Sequence, residues 1–363
     1  GQQGEMTLIA DLAVRSESGL LFWSGDIYMR AARLNLAWLL KDRIPGNYAL
    51  ESARTNLEAW SSWQDGIMQR LEGRMLTEDL RYRSLEAADA PALELDSISG
   101  ELRWLREEHG WRFDMYQPNI SSGLDRWPTR AFSIAMRQFD EAQPPELYVG
   151  ADVLDIKTFM RTLSVHPPDV EVVGHLLASG LRGQLVNPSL HMRMERPLQW
   201  DFSGLFDDLS AYGTSQFPEL ENYRVQVDMC ESGGRLRFMT ENASVYARNL
   251  FRWPIPVTLF QGDIQWQRVR DGYWYVKSDS LALENDHAKT LTAFGLHIET
   301  GKPLYLDLET GFLDGDGAYA SIYYPAGIMP KESVRWLDQS IKEGRVVRGT
   351  ATIRGELTPE LLR

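Results

Sequence analysis

Ile98-Ser-Gly-Glu-Leu-Arg-Trp104, a turn at Glu107-Glu108-His109-Gly110, and Trp111-Arg-Phe-Asp-Met115 spell out a hairpin. The pattern returns as Phe260-Gln-Gly-Asp-Ile-Gln-Trp266, Arg270-Asp-Gly272 and Tyr273-Trp-Tyr275. Gly100 lines up with Gly262, Leu102 with Ile264, Trp104 with Trp266, and Gly110 with Gly272. Apolar residues at every second position describe a strand with one apolar face and one wet face. Two copies in one register point to strands stacked along a long sheet. What covers the apolar face is then the functional question.

The same alternation runs outward in both directions. Met6, Leu8, Ala10, Leu12 and Val14 share a face, and Thr55, Leu57 and Ala59 lead to a turn at Asp65-Gly66. Leu93 and Leu95 precede the first repeated hairpin, and Ala131 opens a further strand. Tyr223, Val225, Val227 and Met229 turn at Glu231-Ser-Gly-Gly234 and return through Leu236 and Phe238. Thr292, Phe294, Leu296 and Ile298 turn at Thr300-Gly301 into Leu304, Leu306 and Leu308, and Ala318, Ala320, Ile322 and Tyr324 predict a closing strand. Asp-Gly and Gly-Gly turns between such runs are antiparallel hairpin signals. The class is mainly β, mostly meander.

Helical spacing is confined to three short stretches. These are 155–163 (Ile156, Phe159, Met160, Leu163), 168–178 (Val172, Val173, Leu176, Leu177) and 330–342 (Val334, Leu337, Ile341). Pro330 suits a first turn and Gly344 a C-terminal stop. The last two helices repeat at nearly the hairpins' offset, which favours a tandem β array over two unrelated domains. The chain divides accordingly into a β block over 1–165, a helical connector over 166–182, and a second β block over 183–363. Three short helices cannot cover a sheet of on the order of fifteen to twenty strands. A sandwich, a closed barrel and a sheet curled lengthwise around its own apolar face all remain, with the sandwich the default from periodicity.

Composition sets bounds. The 363 residues are 43% hydrophobic and 25% charged, as in a folded protein. A net charge of −13 argues against nucleic acid as a partner. Cys230 stands alone, which excludes a disulfide framework. The windows Leu20–Trp23 and Leu36–Leu40 are far too short to span a bilayer. The chain opens on Gly1-Gln-Gln-Gly almost directly into a strand, as an internal piece of a longer protein does.

Reactive constellations are missing from the sequence. His109, His166, His175, His191, His287 and His297 form no H-E-x-x-H, and no Cys/His cluster holds zinc. Asp314-Gly-Asp316-Gly lacks the later ligand of a calcium loop and is expected to be a hairpin turn. Glu107/Glu108, Asp207/Asp208 and Asp314/Asp316 are neighbours in sequence rather than carboxylates held across a cleft, and no G-x-S-x-G or phosphate loop occurs. With 12 Trp and 14 Tyr, a β-sandwich that binds or processes glycan is an alternative, and so is a passive envelope scaffold.

Tyr323-Tyr-Pro-Ala-Gly-Ile-Met-Pro-Lys-Glu-Ser-Val-Arg-Trp-Leu-Asp338, followed by Gly344-Arg-Val346, resembles the C-terminal signature of YhdP-type AsmA-like proteins of Gram-negative bacteria. Ser24-Gly-Asp-Ile-Tyr-Met29 with Leu34-Asn-Leu-Ala37, Gly183-Gln-Leu185 and both repeated hairpins resemble other elements of that family, in order, over about residues 20–355. Asn35, where the family more often has Asp, and the shifted Trp274 depart from it.

The resemblance implies an elongated, curled antiparallel sheet forming a lengthwise hydrophobic groove (a β-taco) with a few short helices. It implies a non-enzymatic periplasmic segment of a protein anchored in the inner membrane, carrying phospholipid acyl chains toward the outer membrane, without a cofactor. Membrane-protein partners would be met by other parts of the parent. Some twenty strands about 4.8 Å apart span roughly 95 Å. On this basis the groove lining is expected to be Leu8, Leu12, Leu95, Leu102, Trp104, Val225, Val227, Ile264, Trp266, Phe294, Leu296, Leu304, Leu306, Leu308 and Ile322. The helices 168–178 and 330–342 are expected to cap the groove or plug a sheet edge.

Overall fold

The computed structural model describes residues 4–17, 20–40, 48–85, 92–123, 125–140, 143–165, 179–214 and 217–357. Nineteen strands occur among them: β1 (Glu5–Glu17), β2 (Leu20–Asn35), β3 (Tyr48–Gln64), β4 (Ile67–Ser84), β5 (Ala92–Glu107), β6 (Gly110–Ser122), β7 (Asp125–Arg126), β8 (Ala131–Arg137), β9 (Glu146–Ala151), β10 (Val153–Asp155), β11 (Arg182–Arg193), β12 (Gln199–Ala211), β13 (Glu219–Cys230), β14 (Gly233–Tyr246), β15 (Ile255–Arg270), β16 (Tyr273–Glu284), β17 (Lys289–Glu299), β18 (Leu304–Asp316) and β19 (Arg345–Leu357). The helices are α1 (Leu36–Leu40), α2 (Ile156–Val165), α3 (Ala320–Tyr323) and α4 (Lys331–Ser340).

The chain forms two compact units, Gly1–Val170 with Asn187–Trp200, and Glu171–Val186 with Asp201–Arg363. In the first, β1 to β6 pair in order, then β6 with β8, β8 with β9, and β9 with residues 189–193 of β11, all antiparallel. In the second, β12 through β19 pair in strict succession. Each is a meander in which two-residue turns, as at Asp65-Gly66 and Asp271-Gly272, alternate with longer connections such as 247–254.

The two repeated hairpins are β5–β6 and β15–β16, yet their matched glycines do different work. Gly272 sits in its turn with φ 70°, whereas Gly110 has left the turn and pairs with Glu107. A Cβ on Gly110 would lie 1.9 Å from the Met136 carbonyl oxygen, so only glycine lets β8 approach. Asp79, Gln117, Asp208, Asn222 and Asn242 adopt positive φ within strands, and register shifts accompany several of them. Bulges of this kind bend and twist the strand that carries them.

Several expectations need correction. Residues 318–324 are not a strand: a 3-10 turn over Gly317–Tyr319 runs into α3, so Ile322 leaves the sheet. Asp314 and Asp316 are not a hairpin turn either, since β18 continues through Asp316, whose carboxylate accepts from the Ala318 N–H. The helix expected at 155–163 is α2, with Asp155 accepting from the Thr158 N–H at 2.8 Å. The helix expected at 330–342 is α4. That at 168–178, with His166 and His175, lies outside the described residues.

The sandwich favoured by periodicity is not observed. Among the described residues the strands pair side by side, and large apolar side chains such as Leu8, Ile9, Leu12, Leu304 and Ile353 stay exposed on them.

Candidate functional site: the apolar face of each sheet

In an antiparallel ladder, residues directly opposite one another project from the same face. Following partners strand by strand in the first unit gives Ala10, Ile27, Ser61, Leu71, Trp104, Phe113, Ile134, Val149 and Leu190. A parallel row runs Leu8, Met29, Ala59, Gly73, Leu102, Met115, Phe132 and Ala151. In the second unit one row reads Phe202, Met229, Gly234, Trp266, Val276, Leu296, Leu306 and Gly355. Beside it lie Gly204, Val227, Leu236 and Ile264, and farther along Phe294, Leu308 and Ile353. Gly234 leaves room for Trp266, since a Cβ there would meet the indole at 2.4 Å.

The reverse face carries rows of polar and charged residues. Thr7, Arg30, Glu58, Arg74, Glu101 and Tyr116 face one another in the first unit. Ser203, Asp228, Arg235, Gln265, Lys277, Gly295, Asp307 and Arg354 do so in the second. Glu58 accepts from Arg74 at 2.7 Å and from the Tyr28 hydroxyl at 2.9 Å, which together hold its pKa below the usual carboxylate range. Asp263 takes Arg235 at 2.6 and 2.8 Å and Arg237 at 3.2 Å, with the same consequence. These cross-strand pairs keep that face hydrated and discourage a second layer from packing on it.

The apolar face is graded in depth. Val225 and Val227 are 4% and 5% exposed, and pack with Tyr223, Ala243 and Val257 among half-buried Phe202, Phe206, Leu236, Phe238 and Phe260. Burial pushes the Tyr223 hydroxyl up to about 12. Leu102 is similarly buried, beside Met115. Trp104, Ile264, Trp266, Phe294, Leu296, Leu306 and Leu308 are half-buried, and Leu8, Leu12 and Leu304 are exposed.

Seven of the residues expected to line a groove, Val227, Ile264, Trp266, Phe294, Leu296, Leu306 and Leu308, lie in these rows of the second unit, and Leu8, Leu102 and Trp104 lie in those of the first. Leu95 lies outside these rows, buried opposite Leu80 on the far side of the Asp79 bulge. Ile322 is on α3. Sequence inspection missed Leu71, Phe113, Ile134, Val149 and Leu190, whose strands are short or bulged, and Phe202, Phe206 and Val276. Alternation marks such residues as facing one side but does not say which strand lies beside which.

The arrangement offers an extended surface for apolar contact. His191 stacks on Tyr148, His297 packs among Tyr273, Tyr275 and Tyr305, and His287 stacks on Tyr319. Among the described residues no group of His, Cys, Asp or Glu is placed to hold a metal ion, and no helix is long and apolar enough to cross a membrane.

The chain is 23% identical over 366 residues to the intermembrane phospholipid transporter YhdP of Escherichia coli (strain K12). That alignment covers 98% of this chain and 28% of the relative, so the chain spans under a third of that protein's length. No solved structure matches. The model of the YhdP protein family matches residues 1–360, and the chain belongs to that family.

Proposed function

We propose that this chain is a periplasmic segment of an inner-membrane-anchored lipid transporter, and that its apolar face shields phospholipid acyl chains in transit between the two membranes. The long, predominantly apolar rows, half-buried or exposed at many positions of a single-layered sheet, carry the proposal. A sixteen-carbon chain entering water loses about 12 kcal/mol, so a path for it has to be apolar throughout. Mixed Leu, Ile, Val, Phe, Met and Trp supply such a path without a deep trap, while polar headgroups stay wet at its margin. The segment works without chemistry, cofactor or nucleic acid. The relative's name, an intermembrane phospholipid transporter, supports phospholipid as the cargo. Protein partners in either membrane would engage regions of the parent beyond this segment.

The test is direct. Purify the 363-residue chain from a bacterial host, extract it with organic solvent, and assay the extract for phospholipid by mass spectrometry. Stoichiometric phospholipid is the expected result. A lipid-free protein that also fails to take up lipid from vesicles would overturn the proposal.

A further inference from the structure

Every connection between neighbouring strands of β12–β18 is a turn or short loop, but β18 and β19 are joined by residues 317–344. The base of this excursion is closed by the Gly317 N–H donating to the Gly344 carbonyl at 2.7 Å. Its body runs back past the ends of its neighbours. At the β16–β17 turn the His287 ring stacks on Tyr319 at 3.7 Å, and the Tyr323 hydroxyl meets Asn285 at 2.9 and 3.1 Å. At the β14–β15 connection Arg252 gives two 2.8 Å bonds to Asp338 of α4 and a third, at 3.3 Å, to the Ser321 carbonyl. The Gly327 N–H donates to the Leu250 carbonyl at 3.0 Å. One segment thus ties together two connections, β14–β15 and β16–β17, at the same end of the strands.

Its attachment is polar. No residue of α3 or α4 is buried, and Trp336 is 64% exposed. A helix held by a few hydrogen bonds and little buried apolar surface belongs to the least stable part of a fold and opens first. The two glycines mark how it is held. A Cβ on Gly327 would lie 1.9 Å from the Asn249 carbonyl oxygen, so the contact there is tight. A Cβ on Gly344, at φ 138°, would meet nothing within 4 Å, so the base of the excursion is loosely packed around its Gly317–Gly344 hydrogen bond.

We propose that residues 317–344 are a releasable strap along the margin of the second unit's apolar face, latched by Arg252–Asp338 and by Gly327 on the Asn249–Leu250 turn. Release of the strap admits acyl chains to the face from the side. This rests on the proposed function, and two readouts separate the two claims. In hydrogen-exchange mass spectrometry, Arg252→Ala and, independently, Gly327→Val should speed exchange of peptides within 317–344 about tenfold while β13 stays protected. Uptake of a fluorescent-tailed phospholipid from phosphatidylethanolamine/phosphatidylglycerol vesicles should quicken in both variants. It should slow at least tenfold when Arg252→Cys and Asp338→Cys, in a Cys230→Ser background, are bridged by a short bis-maleimide. Unchanged exchange in both variants overturns the latch. Equal uptake by bridged and unbridged protein overturns side entry, while a wild-type chain that takes up no lipid overturns the proposed function itself.

Discussion

Replacing Leu306 by aspartate asks whether the apolar face is a surface for a ligand or a core. Leu306 is half-buried near the end of its row, between Leu296 and Gly355. Because Gly355 has no side chain, a carboxylate at position 306 reaches water in the free protein. The folding cost is then the lost part of a leucine's burial plus the poor strand propensity of aspartate, together about 1–2 kcal/mol. An acyl chain lying over the same spot strips water from an unpaired carboxylate, at about 3–4 kcal/mol. That is roughly 100- to 1000-fold in affinity. The assay is equilibrium binding of a fluorescent-tailed phospholipid, with a thermal melt of each variant and Gln265→Asp on the charged face as control. Leu306→Asp should melt within several degrees of wild type and lose binding, whereas the control should melt like wild type and keep its binding. A variant that no longer folds would show that this face is a sealed core, and one that folds and binds normally would show that lipid does not lie there.

Other expectations follow from the same geometry. Gly110→Ala should cost about 3 kcal/mol by chemical denaturation, because its Cβ collides with the Met136 carbonyl. Gly301→Ala, strained by its φ of 78° but with nothing near, should cost about 1 kcal/mol. Val227→Ala should lose about 2 kcal/mol at its buried position, while Leu8→Ala, 56% exposed, should change stability by less than about 0.5 kcal/mol. Glu58, Asp263, Glu299 and Asp338 have pKa values lowered by hydrogen bonds from Arg74, Arg235, Lys302 and Arg252 respectively. A depressed carboxylate contributes stability above its unfolded pKa and loses it as pH falls through the folded one. Urea midpoints should therefore be level between about pH 5 and 8 and decline below about pH 4, and a decline beginning near neutrality would contradict these pairings.

The strap shows how local and distant information divide. Pro330 and the spacing of Val334 and Leu337 made α4 legible in the sequence. Nothing near Asp338 indicates that its partner is Arg252, 86 residues away. Ala318, Ala320, Ile322 and Tyr324 alternate as a strand does, yet they fold as a turn and a short helix. Two positions of one polarity recur in either period, so so short a run does not distinguish them.

What the sequence by itself determined was the strand-rich meander, the two related hairpins, the family and the sidedness of most strands, because alternation and turn chemistry act within a few residues of chain. Only the tertiary structure decided that these sides join into continuous rows, that Val225 and Val227 lie deep while Leu8 and Leu304 lie open, and that Gly110 serves a neighbouring strand rather than its own turn. Register, bulges and depth arise from contacts between residues far apart in sequence, and a single strand's periodicity carries no record of its neighbours.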